Sequence, residues 1–208
     1  MKNLKTILKS LPVWGFASFA AATAMASEPI MVNSTEEAAL LDGRCGGDEW
    51  DAATEISLSS DVSLLLMHDQ NSLYICGKAK DGEPTAMDLY VENTDTGKLH
   101  RIHLSAQMGE SIYDGSEWID LGAWELEDYA GFWTPFFGFQ ENENGGRPRF
   151  YRGSHKQVQI LHKKFPGNSW RMKYNLAVGR EGRWVEHHFP EDSVDSDTST
   201  WTDFVFSK

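Results

Sequence analysis

The stretch from Leu41 to Asp81 constrains this chain most. It opens on a tight polar turn, Leu41-Asp42-Gly43-Arg44, and runs through Cys45-Gly46-Gly47-Asp48-Glu49-Trp50-Asp51-Ala52-Ala53 into an apolar ribbon. Val62, Leu64 and Leu66 alternate with Ser63, Leu65 and Met67, the period of two that marks a strand. Asp69-Gln70-Asn71-Ser72 supplies a turn, and Leu73-Tyr74-Ile75-Cys76-Gly77-Lys78-Ala79 returns beside it. Trp50 is expected to fill the bottom of the core, and the small Ala53 to let the next strand lie close.

This order of parts resembles the family-9 carbohydrate-binding modules and the wider DOMON-like sandwiches. Asp42, Gly43, Glu49, Trp50, Ala53, Leu73, Tyr74, Ile75 and Asp81 match their pattern of Asp-Gly turn, acidic residue, Trp, small residue and Leu-Tyr-Ile strand. Met87-Asp88-Leu89-Tyr90-Val91-Glu92 fits the acidic strand that would follow. The resemblance covers about Leu41 to Val91. It implies an exported sandwich that binds sugar without transforming it.

Residues 1–26 read as a signal peptide. Lys2, Lys5 and Lys9 precede an apolar run, Leu11 to Thr23, and Ala24-Met25-Ala26 has the small-x-small form of a cleavage site. The mature chain is then expected to start at Ser27 and to be periplasmic or extracellular. The apolar run is short for a membrane span and no second one follows; an uncleaved anchor is the rival reading. Loss of the three lysines would move the formal charge from −12 to −15. Such a surface repels phosphate backbones and anionic membranes, so nucleic acid is not an expected partner. In an exported chain the two cysteines read as a disulfide, Cys45 to Cys76, which on the loop-entropy view contributes about 3 kcal/mol.

Ser27 to Ala39 is polar and reads as a flexible segment or a loosely attached first strand. Further on, Met87–Asn93 and Lys98–Ser105 form a second hairpin, and Val158–Leu161 a short strand. Trp170, Met172, Tyr174, Leu176 and Val178 alternate strictly with Arg171, Lys173, Asn175 and Ala177. Arg180-Glu181-Gly182-Arg183 turns that strand into Trp184-Val185-Glu186-His187-His188, and a last strand lies around Trp201 to Phe206. No apolar stripe of helical period appears. The expected fold is all-β: a single antiparallel β-sandwich, immunoglobulin-like or jelly-roll-like, over residues 40–208.

Between Tyr113 and Phe139 nine aromatic residues fall in 27 positions, where the chain average of 12% gives about three. A sugar ring packs its C–H face on an aromatic plane while its hydroxyls bond to neighbouring polar groups. Trp118, Trp124, Trp133, Tyr113 and Gln140 are therefore the candidate ligand-binding residues, with Glu117, Asp120 and Glu125 nearby. The same rings could instead pack into the core or close an open end of the sandwich, or dock a protein partner.

Other chemistry has less support. Asp81, Asp88, Glu92 and Asp95 are candidate calcium ligands, an ion common in sandwiches of this kind. DOMON-type relatives suggest b-type haem between a Met and a His, drawn here from Met67, Met87, Met108 or Met172 and His68, His155 or His162. His100 and His103, three apart on a strand, face opposite ways and suit no zinc site. No nucleophile elbow, metalloprotease helix or phosphate loop occurs, so no enzyme is expected.

Overall fold

The computed structural model describes residues 28–46, 48–80, 83–122, 126–134, 137–140, 147–150 and 155–206, with the backbone alone at 48, 137–140 and 147–150. Residues 1–26, Asp81 and Trp124 lie outside the described residues. The described strands, in chain order, are β1 (Ile30–Ser34), β2 (Thr54–Ser59), β3 (Val62–His68), β4 (Ser72–Lys78) and β5 (Thr85–Asn93). Next come β6 (Lys98–Leu104), β7 (Met108–Tyr113), β8 (Trp118–Asp120), β9 (Tyr129–Trp133) and β10 (Phe137–Gln140). The rest are β11 (Arg147–Phe150), β12 (Lys156–Leu161), β13 (Ser169–Arg180), β14 (Arg183–Phe189) and β15 (Thr202–Phe206). Among the described residues no helix is long and apolar enough to cross a membrane.

Local chemistry explains the turns. Asp69 Oδ1 accepts the backbone N–H groups of Asn71 and Ser72 at 2.7 Å each, which folds β3 onto β4. Glu181 and Gly182 have φ of 50° and 77°, the paired left-handed conformation of a tight hairpin between β13 and β14.

The strands make two layers. The front sheet runs β8-β7-β6-β5-β13-β15, with β14 beside the far half of β13; the back sheet is β2-β3-β4-β12-β9. The all-β sandwich is as expected, with one amendment to its antiparallel character. β1 runs parallel to β15 at Ile30–Val32 and then parallel to β3 at Asn33 and Ser34, so it belongs to both layers. The chain between β1 and β3 is long enough for the crossover that parallel pairing requires. Val32 is fully buried, so the sandwich includes part of the polar segment Ser27–Ala39.

Leu64, Leu66, Leu73 and Ile75 of the back sheet meet Met87, Leu89, Val91, Ile102, Leu104, Met172, Tyr174 and Leu176 of the front sheet. Trp50 is not in that core. It lies on the outer side of the back sheet with Ala39, Cys45, Leu65, Met67, Tyr74 and Cys76, and the Cys45–Cys76 disulfide pins the covering segment there. Every residue of β3 is buried because this second pack covers its outer face.

Glu110 of β7, only 3% exposed, joins the layers. It accepts hydrogen bonds from His100 Nδ1 at 2.7 Å, Tyr129 Oη at 2.9 Å and Lys164 Nζ at 3.0 Å. Burial alone would raise its pKa, but the His100 hydrogen bond and the Lys164 charge outweigh it and hold the carboxyl below its usual range.

Candidate functional site

Alternation along the front sheet turns one set of side chains to the core and the other outward. The outward set falls into rows, because the strand registers are continuous. One row crosses five strands as His188, Asn175, Asp88, His103 and Gly109. His103 Nδ1 donates to Asp88 Oδ1 at 2.8 Å. His188 Nδ1 is 2.7 Å from Asn175 Oδ1. The neighbouring row is Glu186, Ala177 and Ala86. Gly109 lacks a side chain, and a Cβ placed there would meet nothing within 4 Å. The middle of this face is therefore a floor of short side chains beside a polar row.

Trp184 stands at one corner of the face, 59% exposed, opposite Gly179. Beside it opens a groove of about 830 Å³ lined by Lys80, Glu83, Pro84, Arg180 and Arg183. Arg180 is held by Glu83 at 2.8 Å and Asp61 at 2.9 Å, and Lys80 reaches Asp61 at 3.0 Å. Hydrogen bonds from Lys80 and Arg180 lower the Asp61 pKa to about 2, so Asp61 stays ionised throughout the neutral range.

At the opposite corner lie the residues the sequence pointed to. Tyr113 and Trp118 pair across β7 and β8 with ring centroids 5.3 Å apart. Trp118 meets Tyr90 edge-on at 5.5 Å, and the Arg101 guanidinium lies 5.3 Å from the Trp118 ring centre. Both rings are half-buried around Tyr90, Leu99 and Trp201. Ser111 donates to Asp120 at 2.5 Å and accepts from Arg101 at 2.9 Å. The segment before β15 crosses the outer face here: Tyr90 donates to Asp195 at 2.9 Å, and Asp195 also pairs with the fully buried Lys173.

The expected single aromatic cluster is thus divided. Tyr113 and Trp118 belong to the front sheet, whereas Trp133 is half-buried on β9 of the back sheet, because the chain changes layer between β8 and β9. Trp124 lies outside the described residues, and Gln140 is described only as part of the β10 backbone. Trp184 was not among the candidate residues read from the sequence. Its signal was present: in strict alternation it shares a face with Glu186 and His188, so a large ring falls on the polar side of a strand.

Calcium finds no assembled site in Asp88 and Glu92. They are four residues apart on β5, about 13 Å along a strand, and Asp88 is engaged by His103. Asp81 lies outside the described residues, and Asp95 is exposed in the turn between β5 and β6. For the haem alternative the candidate methionines offer no open thioether. Met67, Met87, Met108 and Met172 are packed side chains, and Met172 Sδ lies 3.6 Å from the Tyr174 hydroxyl. His68 Nδ1 and His162 Nε2 both donate to the Asp69 carbonyl, at 3.2 and 3.1 Å, while His155 Nδ1 accepts from the Cys45 N–H.

No family model matches the chain, and no curated protein matches it. Two solved structures are similar, both described as a carbohydrate binding module family 9 from Caldicellulosiruptor kristjanssonii. The one in complex with cellotriose shares 13% identity, covers 86% of this chain and 94% of its own, and has a TM-score of 0.49. The one in complex with glucose shares 12% identity, with coverages of 86% and 96% and a TM-score of 0.49. Both are carbohydrate-binding modules.

Proposed function

We propose that this protein is a non-catalytic, exported carbohydrate-binding protein that holds its ligand on the outer face of the front sheet. The exposed Trp184 ring beside a groove of fixed charges carries this reading. An indole plane accepts the C–H face of a pyranose, and Arg180, Glu83 and Lys80 supply donors and acceptors that ion pairs have already oriented. The resemblance of the Leu41–Val91 segment to family-9 carbohydrate-binding modules agrees with it.

Calorimetric titration of the mature chain with uncharged β-linked oligosaccharides tests the reading. Binding is expected, and Trp184→Ala should weaken it about tenfold, near 1.4 kcal/mol. Absence of heat with every oligosaccharide, or unchanged affinity in the variant, would overturn it.

A further inference from the structure

The outer side of the back sheet, away from the carbohydrate face, carries a second constellation. We infer that Cys45, Cys76 and His155 bind one copper(I) ion when the Cys45–Cys76 bridge is open. One ligand atom from each of the three lies within 4.8 Å of the other two, and both cysteines are buried. Strand register brings them together. Gln157 of β12 is opposite Cys76 of β4, and His155, two residues before Gln157, leads onto the same face. Cys45 reaches that face from the covering segment.

The bridge is not what alone keeps Cys45 there. Gly43 N–H donates to Gln157 Oε1 at 2.7 Å, and Gln157 Nε2 donates to the Arg44 carbonyl at 2.9 Å. His155 N–H donates to the Gly43 carbonyl at 2.9 Å, and Cys45 N–H donates to His155 Nδ1 at 2.9 Å. These bonds hold residues 43–45 against β12 whether the sulfurs are joined or apart, so the opened pair stays preorganised. Two thiolate bonds of about 2.3 Å put the sulfurs at most ~4.6 Å apart, which rotation about Cα–Cβ reaches. The Cα–Cα distance of 6.3 Å leaves room for it. His155 Nδ1 already presents a lone pair toward Cys45, which the ion takes over from the Cys45 N–H. Gln157 Nε2 lies 3.5 Å from Cys45 Sγ, a donor that strengthens as the sulfur becomes a thiolate.

The donor set selects the ion. Two thiolates and one imidazole are soft ligands, and thiolates favour copper(I). Zinc takes four ligands, and among the described residues no fourth His, Cys, Asp or Glu joins this group. The apolar surroundings, with Trp50, Leu65 and Met67, keep water from completing the shell. The bridge opens by exchange with a dithiol, which leaves as its own disulfide and gives Cys45 and Cys76 one proton each. Copper(I) then displaces those two protons to solvent as two S–Cu bonds form, with no change of oxidation state. The ion clips the covering segment where the bridge did.

The mature chain, reduced anaerobically with dithiothreitol and freed of it by gel filtration, is titrated with copper(I) against the chelator bathocuproine disulfonate. It is expected to retain one equivalent, and the oxidised chain none. His155→Ala should weaken retention about tenfold or more, and the melt of its oxidised form checks that it folds. Bound copper should raise the melting temperature of the reduced wild type, because the ion binds the folded pack. X-ray absorption on the wild type, which needs no variant, should show two sulfurs and one nitrogen around copper. A reduced chain that retains no copper, an oxidised chain that retains as much, a shell without nitrogen, or unchanged retention by His155→Ala overturns the site. Retention of zinc(II) in place of copper(I), with both offered at equal concentration, overturns the choice of ion.

Discussion

Lys156 shows at the scale of one residue what the sequence could not. It is the first residue of β12 and shares parity with Val158 and Ile160, so its side chain enters the sandwich beside the core. There it is buried, and desolvation lowers its pKa from 10.5 to about 8. Nothing in the local pattern marks this, because a lysine at a strand start ordinarily reads as solvated. The unfolded chain takes up a proton near pH 10.5, whereas the folded chain does so only near 8. Stability should therefore rise with pH between these values and sit at its lower plateau below them. Lys156→Met removes the buried charge and should stabilise the protein by ~1–3 kcal/mol at neutral pH, with the alkaline rise flattened. Denaturant unfolding from pH 7 to 11 measures both, and a less stable variant with the rise intact would refute the assignment.

At the scale of elements, the lead-in segment forms a second pack rather than the end of the first. The Asp42-Gly43 turn, Trp50 and the disulfide were all legible, but the face they cover was not. The overlooked signal lies in β3. Leu65 and Met67 alternate outward from Leu64 and Leu66, yet they are as apolar as the inward set. A strand with two apolar faces is covered on both sides. Trp50→Ala should cost about 3–5 kcal/mol, the range for deleting a large buried side chain. Reducing Cys45–Cys76, which closes a loop of sequence separation 31, should cost about 3 kcal/mol. Both changes loosen the same pack, so together they should cost less than their separate effects combined. A double cycle of wild type and variant, oxidised and reduced, measures the coupling by thermal melts. Full additivity would show that Trp50 and the bridge act on separate structures.

For the whole molecule, two layers must stay registered, and this too depends on residues distant in sequence. The candidate face draws on residues between Lys80 and His188, brought together by strand order that local alternation does not specify; hence the strands were legible and the site was only half found. β1 joins the layers through the backbone, and Glu110 joins them on the other side through His100, Tyr129 and Lys164. The Glu110 pKa lies below its ordinary 4.5 in the folded state. A depressed acid stabilises the fold above the unfolded value and loses that contribution as pH falls through the folded one. Acid unfolding of the wild type should therefore include a limb that begins near pH 4.5 and deepens below it. Glu110→Gln keeps the shape but leaves Lys164 facing a neutral amide. It should lower stability at neutral pH by about 1–3 kcal/mol and make the acid limb shallower. Unfolding followed by circular dichroism from pH 7 to 2 distinguishes the outcomes. A variant that loses stability at neutral pH yet keeps the wild-type acid limb would show that Glu110 only fills space. A shallower limb would show that its charge holds the layers together.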